Sequence, residues 1–285
     1  MTLLAQFERD RGRLRAIAFR ITGSADDADD ALQIAWEKAA AAVGGTNADP
    51  TDIREPSAWL TTVVSRTCLD LLRGHRRRGE VALDAIADRP GEDPTPEDAA
   101  IRLDEVGRAL LVVQQQLSPA QRVAFVLHDM FALSFDEIGS ITGRSPAAAK
   151  KLASRARGRI APPAETDTAD VDLVRAYLQA SRDGNIERLL RILAPDVIRT
   201  ADPAVLPSGM PTRTEGADEV AEQTRLFAAR ARLSAVVLVD DRPAVVVAPH
   251  GRPTIVMRFT VSGNMIAAID VNDAAGIPAT SFKLA

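Results

Sequence analysis

The sequence predicts a multidomain chain, two all-α helical domains followed by an α+β domain. Three observations point there. Apolar residues recur at helical spacing through roughly the first 160 positions. Strand-like runs separated by turn residues are confined to the C-terminal part. Two proline- and acid-rich stretches, within residues 79–99 and 161–169, punctuate the chain where periodicity fails. At 285 residues there is room for two or three cores.

The first helix carries Phe7, Leu14, Ile17, Ala18 and Ile21 on one face and ends at Gly23. Ser24, three residues before Asp27, caps a second helix, "ADDADDALQIAWEKAAAAV", with Ala28, Ala31, Leu32, Ala35 and Ala39 as its apolar stripe. That stripe leaves Asp27, Asp30 and Gln33 toward solvent or a partner. After a polar loop, Pro56 starts a third helix, with Leu60, Val64, Cys68 and Leu71 on one side and a strongly basic end. Trp59 is expected in the core. Helices resume after the first linker with "AIRLDEVGRALLVVQQQL", then with "AQRVAFVLHDMFAL" behind Ser118-Pro119.

Ser134 and Glu137 make a capping box for a short helix bearing Ile138 and Ile141. Gly143 supplies a turn, and Ser145-Pro146 opens a helix with Ala149, Leu152, Ala153, Ala156 and Ile160 on one face. Its other face is small and basic. Two short helices joined through a glycine turn are what a helix-turn-helix requires. Small residues let the second helix enter a major groove, while basic ones neutralise phosphates. The DNA-facing set is Arg144, Ser145, Ala147, Ala148, Lys150, Lys151, Ser154 and Arg155. Backbone positioning is expected from Arg144, Lys150 and Arg155, and base contact from Ala147, Lys151 and Ser154.

Beyond the second linker, "VDLVRAYLQASRDGNIERLLRILAP" reads as two helices broken at Asp183-Gly184, and "GADEVAEQTRLFAARARL" as one more. The runs "SAVVLVDD", "AVVVAPH", "TIVMRFTV" and "MIAAIDVN" form an antiparallel meander through "DDRP", "HGRP" and "SGN". Asp196, Asp202 and Asp270 are the carboxylates that could face a cavity there; His250 falls in a turn.

Composition excludes several functions. No apolar run approaches the roughly 20 residues of a membrane span. The opening "MTLLAQFERDRGRLRAIAF" is charged where a signal peptide is apolar. A cytoplasmic protein with no membrane partner is expected. One cysteine and three scattered histidines predict no disulfide framework, no metal site and no cofactor. The net charge of −4 does not argue against nucleic acid, because acids and bases are segregated along the chain.

With these elements in place, the first 160 residues resemble the extracytoplasmic-function sigma factors of bacterial RNA polymerase. "SADDADDALQIAWEKA" is similar to the acidic helix of sigma region 2 that docks on the polymerase. "PSAWLTTVVSRTCLDLLRGHRRR" is similar to that region's promoter-melting helix, and residues 117–160 to region 4, which reads the −35 element. The C-terminal part resembles the cone-shaped SnoaL-like α+β domains, although "TADPAVLPSG" stands where a glycine-rich "DGGG"-type stretch is usual. The linker after region 2 lacks the tryptophan-containing motif of that subgroup.

The resemblance implies sigma region 2 at 1–78, a linker at 79–99, region 4 at 100–160, a linker at 161–169 and a SnoaL-like regulatory domain at 170–285. It implies core RNA polymerase and promoter DNA (−35 and −10 elements) as partners. Polymerase docking falls to Asp26, Asp27, Asp29, Asp30, Gln33 and Trp36, with Leu32 and Ile34 as further apolar anchors. Promoter melting falls to Arg66, Arg73, Arg76, Arg77 and Arg78, and flipped bases to the Gly44–Glu55 loop. No catalytic residue is expected in the chain itself. A ligand-responsive helix-turn-helix regulator, or a small-molecule enzyme fused to a DNA-binding module, are the competing readings. An unknown small molecule in the C-terminal domain is expected by either the first reading or its first competitor.

Overall fold

The computed structural model describes residues 3–44, 53, 55–77, 105–163 and 168–285. Arg78, the 79–99 linker and most of the Gly44–Glu55 loop lie outside them. The chain forms two compact units, residues 1–83 with 117–159, and residues 84–116 with 160–285.

In the first unit, α1 (Leu3–Thr22), α2 (Ala25–Gly44) and α3 (Pro56–Arg77) pack on one another. The expected apolar faces meet: Leu14, Ile17, Ile21, Ala28, Ala31, Ala35, Leu60, Val64 and Cys68 are fully buried. Alanines on α2 allow close helix approach. Trp59 is only half-buried. The α1–α2 junction forms as the residues dictate, with Gly23 at φ 78° and the Asp27 amide donating to Ser24 Oγ at 3.2 Å. Burial pushes the Cys68 thiol up, so it is an inert core side chain rather than a thiolate.

The same unit holds α5 (Pro119–Phe125), α6 (Phe135–Thr142) and α7 (Pro146–Ile160). Ser118 and Gln121 close a capping box on α5. The expected helix from 120 to 133 is shorter than its sequence suggests. It turns π-helical over Val126–Met130, and Ala132 takes a left-handed φ of 56°. There the Leu133 amide reaches back six residues to the Leu127 carbonyl at 2.9 Å, so a helix-ending bond around the left-handed Ala132 replaces the regular ladder.

The second unit is α+β. Its helices are α4 (Glu105–Val113), α8 (Thr168–Asp183), α9 (Ile186–Ile192), α10 (Ala217–Arg225) and α11 (Ala228–Arg232). Its strands are β1 (Leu193–Ala201), β2 (Arg213–Glu215), β3 (Ser234–Val239), β4 (Arg242–Val247), β5 (Ile255–Ser262), β6 (Met265–Asp273) and β7 (Phe282–Leu284). They join in one sheet, ordered β2-β1-β6-β5-β4-β3-β7. The expected meander is β3 to β6. Its two tight turns place Asp240 and Asp241 at φ 52° and 62°, and Gly263 and Asn264 at 56° and 67°, the signature of hairpin turns of the I′ kind.

One strand lies outside the expected meander, and one expected helix is corrected. "DVIRTA" belongs to strand β1, which pairs parallel with β6 and antiparallel with β2. The helix expected across 216–233 breaks between α10 and α11 at Leu226–Phe227.

Packing also separates α4 from the helices it precedes in sequence. All six residues of β3 are buried, and because successive side chains point to opposite faces, both faces of β3 are covered. The helices in contact with it are α4, α8 and α11. That explains why "SAVVLV" is a continuous apolar run rather than an alternating one. Polar ties hold α4 in place: Arg108 Nε donates to Ser234 O at 3.1 Å, and Gln116 Nε2 to Phe282 O at 3.0 Å. Glu105 accepts from Arg182 at 3.2 Å and lies 3.5 Å from Arg175, both on α8. α4 thus belongs to the compact unit of the sheet.

Candidate functional site

The helix-turn-helix is built by caps and glycines. Ser134 Oγ accepts from the Glu137 amide at 3.3 Å while Glu137 Oε2 accepts from the Ser134 amide at 2.8 Å. Such a cap contributes about 1 kcal/mol. Gly143 ends α6 in the left-handed conformation at φ 67°, which a side chain would strain. Gly139 is needed for another reason: a Cβ there would lie 2.7 Å from the Arg144 carbonyl oxygen. The turn thus folds back directly over the α6 backbone. Ser145 Oγ accepts from the Ala148 amide at 3.2 Å and starts α7.

On α7, Ala149, Ala153 and Ala156 are fully buried. The opposite face presents Arg144, Ser145, Ala147, Lys150, Lys151, Ser154 and Arg155 to solvent, with Ala148 half-buried at its edge. None of its four cations is in an ion pair among the described residues. Arg157, by contrast, is held by Asp129 at 2.9 Å. The outer face is therefore a compact cationic surface around small side chains, the shape and charge that a major groove accepts.

On α2 the structure sorts the four aspartates. Asp26, Asp30, Gln33 and Trp36 are exposed, Trp36 by 44%. Asp29 is exposed but already bound bidentately by Arg15, at 2.7 and 2.9 Å. That guanidinium holds the Asp29 carboxyl below its usual range. Asp27 was expected at the surface. It is half-buried, 3.7 Å from His75 Nε2 of α3, because its position follows the cap and turns toward the bundle.

Of the basic residues on α3, Arg73, Arg76 and Arg77 are exposed near its end, Arg73 beside Asp70 at 3.4 Å. Arg66 is engaged elsewhere: its Nη2 donates to Ser140 O of α6 at 2.6 Å. Arg78 and the loop expected to take flipped bases fall outside the described residues.

The second unit encloses a cavity of about 610 Å³ of empty space, counted out to its mouth. Its walls are Leu178, Leu206, Val245, Val247, Ile255, Met257 and neighbouring apolar side chains, with Tyr177, Arg199 and Arg230 among them. None of Asp196, Asp202 and Asp270 lines it. Pairing explains the miss. In β1 the inward alternation runs Val197, Arg199, Ala201, so Thr200 points outward, and its register partner Asp270 on β6 hydrogen-bonds its hydroxyl on that outer face. Asp202 instead accepts from the Ala204 amide at 2.9 Å to cap a short turn, and Asp196 is exposed. Arg199 is the cavity residue that sequence reading passed over. Its signal was present, since it occupies the inward register between Val197 and Ala201.

Comparison with known proteins assigns the helical part of the chain to two family models. The Sigma-70 region 2 family model matches residues 6–78, and the Sigma-70 region 4 model residues 108–160. The ECF RNA polymerase sigma factor SigJ of Mycobacterium tuberculosis is 40% identical over 208 residues, 70% of this chain and 64% of that protein. The probable ECF RNA polymerase sigma factor SigI of the same species is 33% identical over 70% of this chain and 69% of its own length. The chain belongs to the extracytoplasmic-function RNA polymerase sigma factors. Among such sigma factors of known structure, the M. tuberculosis SigJ crystal structure covers 94% of this chain and 95% of its own, at 29% identity and a TM-score of 0.41. The chain thus matches less than two thirds of the full length of SigJ in the sequence comparison. Among the described residues of this sigma factor, no helix is long and apolar enough to cross a membrane.

Proposed function

We propose that this chain binds core RNA polymerase and directs it to particular promoters, with the C-terminal unit modulating that activity in cis. The observation that carries the reading is the outer face of α7, where four cations, none in an ion pair among the described residues, surround Ala147, Ser145 and Ser154 on a capped, glycine-turned helix. Arg144, Lys150 and Arg155 would neutralise phosphates, while Ala147, Lys151 and Ser154 would meet base edges of the −35 element. Arg73, Arg76 and Arg77, with Arg78 next in sequence, would neutralise the backbone around the −10 element. The exposed stripe Asp26, Asp30, Gln33 and Trp36 would dock on the polymerase, the tryptophan as an apolar anchor ringed by acids. Bond making would then belong to the polymerase, and this chain would select where it occurs, acting in the cytoplasm with its polymerase.

Support for modulation in cis comes from α4. Residues 108–113 lie inside the segment matching region 4, yet their helix packs on β3, with Arg108 tied to Ser234 and Glu105, just ahead of the segment, tied to α8. A unit that holds the first helix of its neighbour in sequence has a handle on it. The cavity supports a small molecule as the input to that handle.

The test is transcription in a purified system of core polymerase and a promoter library, with the full chain and with residues 168–285 removed. Initiation that depends on the chain is expected, with an altered level in the truncated form. Promoter binding without core polymerase, and no initiation, would instead establish the regulator reading.

A further inference from the structure

We propose that the cavity of the C-terminal unit is a binding site for a small amphipathic carboxylate, an apolar body ending in a single negative charge. The observation is a buried cation with no carboxylate beside it among the described residues. Arg199 is 4% exposed and lines the cavity. Its Nη2 donates to Pro211 O at 3.1 Å and to Thr214 Oγ1 at 3.0 Å, both neutral acceptors. Its Nε is buried without any partner among the described residues. Arg230, the second guanidinium of the lining, donates to Val205 O at 2.9 Å and stacks over the Phe227 ring at 5.2 Å. Neither meets a carboxylate among the described residues. Burial pushes both guanidinium groups downward from their ordinary range, yet an arginine stays charged in a protein. Tyr177 cannot serve as the counter-charge, because burial holds its phenol neutral.

An unpaired buried charge is among the most unfavourable things a fold can hold, and truncating it to an apolar side chain would relieve that cost. The cavity makes sense of Arg199 if the missing anion arrives with a ligand. The remaining polar groups of the lining decide what kind of anion. Tyr177 and Thr224 hydroxyls bond one another at 3.2 Å, Ser181 donates to Tyr177 O, and Ser234 donates to Arg230 O. They are spent. A dianionic phosphate needs many donors, and this wall offers few; a carboxylate needs the one or two that Arg199 has left. The apolar side chains around it select a hydrocarbon body over a hydroxylated one.

This inference rests on the reading of the C-terminal unit as the part of the sigma factor that takes a small molecule, and names the class. Its test uses the full chain without polymerase, so failure here leaves promoter recognition untouched. The chain has one tyrosine. Incorporating 3-fluorotyrosine therefore places a single fluorine label, at Tyr177 in the cavity wall. Octanoate and 1-naphthoate are titrated as the aliphatic and aromatic forms of the class, with octanamide, 1-naphthamide and inorganic phosphate beside them. The expected result is a shift of the fluorine resonance by at least one carboxylate, with at least tenfold weaker response to its amide and none to phosphate. Arg199→Met should erase the preference for acid over amide, and Arg199→Lys should keep part of it; circular dichroism checks that both remain folded. Equal binding of acid and amide, an unchanged preference in Arg199→Met, displacement by phosphate, or no response to either acid overturns the proposal. Whichever acid binds more tightly identifies the aliphatic or aromatic source.

Discussion

Arg66 of α3 donates its Nη2 hydrogen to the Ser140 carbonyl of α6 at 2.6 Å. Ser140 is in the last turn of α6, where carbonyls lack helical partners and the helix dipole is negative. α3, the helix proposed to melt the promoter, thereby caps the first helix of the helix-turn-helix. Elements named −10 and −35 lie 25 base pairs apart, roughly 85 Å at 3.4 Å per step. If α3 serves the −10 element and the helix-turn-helix the −35 element, as proposed, helices in hydrogen-bonding contact cannot serve both at once, and engagement of both would require this contact to open. A short bifunctional maleimide joining cysteines placed at 66 and 140 should abolish initiation while leaving binding to core polymerase intact; Cys68 is buried and should not compete. Arg66→Ala should shift the balance toward the open form by about 1 kcal/mol or less, since the bond is exposed. Full activity of the tethered chain would show that the two helices work together as they stand.

On α7, phosphate and base contacts are separable by salt. Lys150→Ala should weaken binding to all promoters alike and reduce the salt-dependence slope by about one. Lys151→Ala should change the order of preferred −35 sequences, by about 1–3 kcal/mol at one base pair. Competition binding across single-base variants at several salt concentrations separates them. An identical profile for both variants would remove the division of roles.

The docking stripe yields a ranking. Trp36→Ala should weaken binding to core polymerase most, by up to about 2 kcal/mol, and Asp30→Ala less, with promoter preference unchanged in both. Asp29→Asn should affect docking least, because Arg15 already occupies that carboxylate. It should instead act on acid stability. The folded-state carboxyl titrates lower than in the unfolded chain, so the pair's stabilisation is present above the unfolded value and is lost as pH falls through the folded one. Asp29→Asn should flatten that acid limb in a thermal melt series, by a small amount given its exposure. A steep loss of core binding in Asp29→Asn would place the docking contact on the Arg15 side of α2.

The helix-turn-helix was legible because every device that builds it is local: two serine caps, a left-handed glycine and a three- to four-residue repeat all appear in sequence order. The solvent-facing set of α7 needed no tertiary information beyond which face is apolar. The cavity was not legible in the same way. Asp270 looked inward from its own strand, where alternation is weak, and only pairing with Thr200 across β1–β6 sets its face. The Arg66–Ser140 bond and the capture of α4 are contacts over long sequence separations, which periodicity does not report. Gly139 carried a signal that read as ordinary helix; its need for a missing Cβ appears only once Arg144 folds back over it.

Gly251 offers the test of how α4 is held. It sits at φ 75°, and a Cβ there would lie 2.7 Å from Leu111 Cβ and 3.0 Å from the Leu111 carbonyl oxygen. Alanine at 251 therefore forces the turn and α4 apart, in addition to the roughly 1 kcal/mol strain of a left-handed alanine. Gly209 provides the control: its φ is 85°, and nothing lies near its Cβ position. Gly209→Ala carries the backbone strain alone. If capture of α4 modulates the sigma factor, Gly251→Ala should speed hydrogen exchange at residues 105–116 and move promoter-dependent initiation in the same direction as removal of residues 168–285. Gly209→Ala should lower the melting temperature of the C-terminal unit by the backbone strain alone and leave initiation where it was. Equal effects of the two alanines on initiation would mean that the stability of the unit, and not its grip on α4, sets the output.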